Sequence, residues 1–158
     1  MATFERELRV HAPLADVWAF HSTIDGLRSL TPDWLNLRVE EIERPDDEPE
    51  AHVLTAGTRI HASVQPFGVG PRQTWVSHIT AREEGEDTAY FVDVMEEGPF
   101  PEWEHTHLFY ADGDETLIRD HVEYRAPVGG IGDEAARLGL APMFWYRHRR
   151  TRDILDGP

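Results

Sequence analysis

The chain has 158 residues, 40% of them hydrophobic, and a formal charge of −15 from 30 acidic and 15 basic side chains. This length fits one domain, residues 1–158, with a core of its own, and no run approaches the roughly 20 apolar residues of a membrane-spanning helix. The absence of cysteine excludes disulfides, thiolate nucleophiles and sulfur-built zinc sites, while the acid excess repels nucleic-acid phosphates and anionic membranes.

The opening residues MATFERELRV mix acids and bases and carry no signal-like apolar run, so a cytoplasmic location is expected. Thr3 to His11 alternates around Phe4, Leu8 and Val10 and predicts a first strand. Pro13 suits a helix start, and Asp16, Val17, Trp18 and Phe20 follow at helical spacing. Asp25-Gly26 turns the chain into a second short helix, Leu27 to Leu30, which Thr31-Pro32 ends. Strands are predicted from Leu37 to Ile42, Thr58 to Phe67, Gln73 to Ala81 and Ala89 to Met95. The acidic run Arg44 to Glu50 reads as a solvated loop, and Gly98-Pro99 as a bulge or tight bend.

Glu102 to Tyr110 and Glu115 to Ala126 form a hairpin joined by Asp112-Gly113-Asp114. Gly129, Gly130 and Gly132 loosen the chain before a long helix, N-capped by Asp133 and running to about Leu155. Leu140, Phe144, Arg147, Thr151 and Leu155 trace one face of it, and Pro142 should kink or divide it. Gly157-Pro158 closes the chain. Consecutive hairpin-linked strands followed by one long helix predict an α+β fold. Six or seven antiparallel strands curve around the C-terminal helix, with two short helices after strand 1.

Two polar rows stand out on the hairpin. Trp103, His105, His107 and Phe109 recur at period two, as do Asp120, Val122 and Tyr124. With Asp93 on the preceding strand, a carboxylate could fix a histidine tautomer and raise its basicity. The candidate acid/base residues are therefore His105, His107, Asp93 and Asp120, a set suited to enolisation, cyclisation or dehydration of a carbonyl compound. The same residues could equally form a satisfied structural network or touch a ligand. No third metal ligand is fixed by spacing, and neither metal nor cofactor is expected; there is no phosphate loop, dinucleotide motif or serine-triad order.

Among the large aromatics, Trp34 and Phe67 sit beside loops and are candidates for a cavity mouth. Trp75, Phe91, Trp103, Tyr124 and Phe144 are candidates for its walls. His21 precedes a turn, where bonding to backbone competes with a ligand role. The cluster Arg147 to Arg152 suits a helix C-terminus, and Arg147, lying on the apolar stripe, could be structural or face a cavity. Every base in the chain is arginine, and the acid excess points to a halophilic source.

Several segments in order carry a resemblance: Val17-Trp18-Ala19-Phe20-His21, Leu30-Thr31-Pro32, Trp75 with Ile79, and Phe91-Val92-Asp93. They continue with Gly98-Pro99-Phe100, Trp103-x-His105-x-His107-x-Phe109, Thr116, Asp120-x-Val122-x-Tyr124 and Phe144-x-Tyr146-Arg147-His148. Together they resemble the START-like (SRPBCC, helix-grip) superfamily, in a polyketide cyclase/dehydrase-like subgroup, with a haloarchaeal source expected. The resemblance covers nearly the whole chain and implies a hydrophobic cavity between sheet and helix, without fixing one chemistry. Three functions follow as expectations: binding of a small hydrophobic or lipid-like molecule; a cyclase or dehydratase using His/Asp chemistry in the cavity; or a homodimeric interaction protein.

Overall fold

Alternation of buried Phe4, Leu8 and Val10 with exposed charged residues makes β1 (Ala2–Val10) a one-sided strand. The computed structural model describes residues 1–45, 53–128 and 130–156. After β1 come α1 (Leu14–His21), α2 (Ile24–Ser29) and a 3-10 turn, Asp33–Leu35. Next are β2 (Arg38–Glu43), β3 (Arg59–Val64), a 3-10 turn Pro66–Gly68, β4 (Gln73–Glu84) and β5 (Thr88–Glu96). The hairpin β6 (Glu102–Asp112) and β7 (Glu115–Arg125) leads into α3 (Gly130–Leu155). From position 46 the predicted acidic loop lies outside the described residues, as do Gly129 and Gly157-Pro158.

The seven strands form one antiparallel sheet in the order β1-β7-β6-β5-β4-β3-β2. The first two strands sit at opposite edges, so α1 and α2 carry the chain across one face. From β2 onward each strand pairs with its successor. Pairing of Asp112 with Glu115 leaves Gly113-Asp114 as a two-residue turn, and Gly113 supplies the positive φ (62°) such turns require. At the β5–β6 bend, a Cβ on Gly98 would fall 2.4 Å from Met95 Sδ and 2.8 Å from Trp75 Cβ, so only glycine fits there.

Three apolar clusters fill the concave face. Val10, Val17, Trp18, Phe109 and Ile118 join α1 to β1, β6 and β7. Phe4, Val122, Tyr124 and Phe144 join α3 to β1 and β7. Leu54, Ile60, Ala62 and Ile79 pack on the far strands. Each fully buried large side chain contributes roughly 1.5–3 kcal/mol relative to exposure. The Arg82 guanidinium lies 4.5 Å from the Trp18 ring and donates to Ser22 Oγ (3.0 Å), fixing α1 against β4.

One expectation for the last helix is corrected and one is narrowed. It starts at Gly130 rather than after Asp133, and of the two outcomes expected at Pro142, a kink or a division, the helix is not divided. Asp133 Oδ1 accepts the backbone N–H of buried Ala126 (2.6 Å), and its carbonyl accepts the Tyr124 hydroxyl (3.0 Å). The carboxylate therefore ties the first turn of α3 to the end of β7 instead of capping its own helix. Pro142 is exposed, so the carbonyl it leaves unpaired can bond to water.

Asp133→Ala is expected to cost about 1–3 kcal/mol in urea unfolding, because it strands a buried N–H. Asp133→Asn, which keeps an acceptor oxygen, should retain most of that stability; equal losses from both changes would contradict this role.

Candidate functional site

The register of the central strands settles which rows share a face. Asp93 pairs with His105, His107 with Asp120, and Trp103 with Tyr124. Directly opposed residues point the same way, so both hairpin rows and Asp93 meet on the concave face. That face lies under α3.

The polar groups form one linked network. His105 Nε2 donates to Asp120 Oδ1 (2.7 Å), and His107 Nε2 donates to Asp93 Oδ2 (2.6 Å). From α3, His148 Nε2 donates to Asp120 Oδ2 (2.6 Å). The rings also stack: His105 lies on His107 with centroids 3.5 Å apart, and Phe91 covers the other side of His107 at 3.8 Å. Trp103 and Phe144 present edges to His105.

Burial alone would raise the Asp120 carboxyl, but hydrogen bonds from His105 and His148 outweigh it and hold the group well below the usual carboxylate range. Asp93 is likewise lowered against the opposing effect of burial, chiefly by its bond from His107. Burial, then the charge of His105, pushes His107 down to about 4, so it stays a neutral imidazole near pH 7. Its Nδ1 is buried and has no hydrogen-bond partner among the described residues. Burial also pushes His21 down to about 4; its Nδ1–H donates to the Val17 carbonyl (2.8 Å), leaving Nε2 as an acceptor.

A cavity of about 270 Å³ opens beside this network, between the second and third apolar clusters. Leu27 and Leu30 of α2, Ile60, Ala62, Trp75 and Ile79 of the far strands, and Leu140, Met143 and Phe144 of α3 supply apolar walls. Phe91, Asp93, Trp103, His105 and His107 supply the floor, and His21 and Arg147 add polar groups.

The structure thus brings Asp93, His105, His107, Trp75, Phe91, Trp103 and Phe144 to one cavity. Four other candidates fall elsewhere. Asp120 lies behind the histidines, held by both His105 and His148. Tyr124 is buried with its hydroxyl on Asp133. Trp34 and Phe67 stack on each other at the surface, with centroids 4.9 Å apart, and stand outside the cavity wall. They satisfy one another's apolar faces, so proximity to loops misplaced them. His148 is the network member that sequence reasoning missed; it sits four residues after Phe144 and three before Thr151, on the buried stripe of α3.

Asp93, His105 and His107 offer ligand atoms within 4.8 Å of one another, the spacing of a candidate metal group. Both histidines, however, donate their Nε2 protons to carboxylates, and 2.6 Å between His107 and Asp93 suits a shared proton better than an intervening ion.

Asp120→Ala should cost roughly 3–5 kcal/mol in denaturant unfolding, since it leaves two buried imidazole N–H groups without their acceptor; a loss under about 1 kcal/mol would count against the network. The His107 pKa is lower folded than unfolded, so its contribution to stability is complete above 6.5 and disappears as pH falls toward about 4. Over that window His107 accounts for a loss of roughly 3 kcal/mol. His107→Asn should flatten the curve between those pH values, and an unchanged slope would contradict the assignment.

The sequence matches the family model described as "Polyketide cyclase / dehydrase and lipid transport" over residues 10–141. Comparison with curated proteins finds no match. Among solved structures, protein CV1439 from Chromobacterium violaceum superposes with a TM-score of 0.72 at 11% identity, covering 99% of this chain and 98% of that one. Norcoclaurine synthase from Thalictrum flavum, solved with dopamine and hydroxybenzaldehyde, gives 0.61 at 22% identity, covering 94% and 84%. Ara h 8.0201 gives 0.64 at 17% identity, covering 97% and 96%. These likenesses establish a shared helix-grip fold. With most of its length matched by the family model and its sheet wrapped on one long C-terminal helix, the chain belongs to the polyketide cyclase/dehydrase and lipid transport family.

Proposed function

We propose that the chain binds a small, mainly apolar molecule in the cavity between the sheet and α3. The carrying observation is the wall itself: α2, the far strands and α3 present leucine, isoleucine, methionine and aromatic side chains to one partly open space, with the charged and imidazole groups at the floor and at His21 and Arg147, and a few hydroxyls (Thr23, Thr31, Ser77) among the apolar residues. Family membership supports ligand binding as the general class. In this reading Asp120 and His148 hold the floor to the helix from behind and do not touch the ligand, while His105 forms part of the floor.

A second reading rests on one specific observation. Asp93 and a neutral His107 share a short hydrogen bond at the cavity floor, a pair suited to proton transfer on a carbonyl substrate. It would make the protein a cyclase or dehydratase.

Native mass spectrometry and solvent extraction of the purified protein should release a bound apolar compound. Ala62→Phe, which places a ring in the cavity, should weaken binding of the neutral probe N-phenylnaphthylamine at least about tenfold while the protein still unfolds cooperatively. Ser77→Phe provides an independent block. If both variants bind the probe as the native chain does, the cavity is not the site. Under the second reading, Asp93→Asn removes turnover of a carbonyl substrate and leaves probe binding unchanged; loss of both together would favour a binding role alone.

The acid excess is read as tuning to concentrated salt, where screening removes self-repulsion among carboxylates. The melting temperature should rise steadily as potassium chloride goes from dilute to molar; a flat or falling trend would overturn that reading.

A further inference from the structure

Several arginines on the outside of this protein find carboxylates, while others, such as Arg38 and Arg149, stand exposed to water without one among the described residues. Arg9 bonds Asp112, Arg59 bonds Glu96, Arg119 reaches Glu5 and Glu7, and Arg125 reaches Glu102. Arg147 is different. It lines the cavity, half-buried, yet among the described residues its guanidinium has no carboxylate within 4.0 Å and makes no hydrogen bond. Its charge sits 6.0 Å from the centroid of the Phe144 ring, a neighbour on the same wall.

The carboxylates nearest the floor are already committed. Asp93 takes the His107 proton at 2.6 Å, and Asp120 takes two imidazole protons from behind. A permanently charged side chain is thus held at a mostly apolar cavity in a chain with twice as many acids as bases, with Asp93 acting on it only through space and no carboxylate bonded to it among the described residues. Guanidinium carries five fixed N–H donors in a planar fork that matches a carboxylate through two parallel bonds. Across the same space, His21 keeps its Nδ1–H on the Val17 carbonyl, so its other nitrogen offers only a lone pair. The charge of Arg147 lowers the pKa of both His21 and Asp93, the polar groups that line the cavity with it.

We propose that Arg147 is the anchor for an anionic head group, and that the ligand of this cavity is a hydrophobic carboxylic acid. The acid's carboxylate meets the guanidinium fork, and its apolar body lies against Ile60, Ala62, Ile79 and Met143. A hydroxyl on the ligand would find its acceptor at His21 Nε2. This assignment rests on the cavity being a ligand site, as proposed above.

The test uses isothermal titration of the full chain with naphthoic acid and with its methyl ester, which differ in charge and share the ring system. The native protein should bind the acid more than about tenfold tighter than the ester, on the scale of a charge-assisted bidentate contact. Arg147→Gln should bring the acid down to the ester's affinity and leave the ester unchanged. Arg147→Lys should restore only part of the preference, because a point charge replaces the fork. Arg147→Gln should also melt near the native temperature, since it breaks no hydrogen bond or ion pair; a marked drop would mark Arg147 as structural and overturn the assignment. If the ester binds as well as the acid, or Arg147→Gln leaves the acid's affinity unchanged, the anchor is wrong while the cavity stands. If neither compound binds, and N-phenylnaphthylamine binds no better to the native chain than to Ala62→Phe, the ligand site itself fails and the anchor with it.

Discussion

Asp120 is the group on which the geometry of the concave face depends. A carboxylate taken out of water costs several kcal/mol unless its oxygens are fully used. Here one oxygen accepts from His105 on β6 and the other from His148 on α3. The bond to His105 fixes two neighbouring strands at their buried row. The bond to His148 fixes the helix to the sheet. Because an α-helix turns 3.6 residues per turn, fixing His148 also fixes what its neighbours face: Phe144, one turn earlier, packs on Phe4 with centroids 5.2 Å apart, and Arg147 is carried to the cavity wall.

The sheet under that helix is unevenly covered. Over β1, β7 and β6 the inward rows are large, and α1 and α3 close on them without a gap, leaving Val10, Phe109 and Val122 with no exposed surface. Toward β3 and β4 the inward residues shrink to Ala62 and Ser77 beside Ile60 and Ile79, and the helix that would cover them, α2, is only six residues long. Small residues on a curved sheet beneath a short helix leave space by construction. The aromatic floor of that space is stiffened by the Phe91–His107–His105 stack, which resists collapse into the gap.

Much of this was legible in the chain. Period-two rows announced the hairpin, and Gly113 announced its turn, because each signal acts over neighbouring residues. The pairing of Asp93 with His105 was not readable. It depends on the bend at Gly98, and the sheet beyond it carries a register shift between Ile79 and Ala81 that no local pattern encodes. On α3, a stripe drawn through Arg147 and a stripe drawn through His148 are adjacent and both plausible. Only the position of Asp120 across the gap decides which residue turns to the sheet and which to the cavity. Asp133 shows the same limit: its residue type suits an N-cap, but the end of β7 lies close enough to claim its carboxylate first. Trp34 and Phe67 are far apart in sequence, so their mutual stacking was invisible there.

The cavity differs from the rest of this protein in how its charges are held. In the chain as a whole, acids outnumber bases two to one. At the cavity, Asp93 and Asp120 are each taken up by histidine N–H groups, and the cation of Arg147 stands at the wall with no carboxylate bonded to it among the described residues. An anion approaching from solvent therefore meets repulsion at long range and attraction only at contact. The first term acts over the Debye length, about 8 Å at physiological ionic strength and about 3 Å in molar salt; the second acts in a low-dielectric site that salt screens much less. Concentrated salt removes the barrier to entry and leaves the anchor largely intact. The proposed salt-adapted surface and the proposed apolar-acid cavity would thus be compatible in one chain, with ionic strength governing access more than affinity.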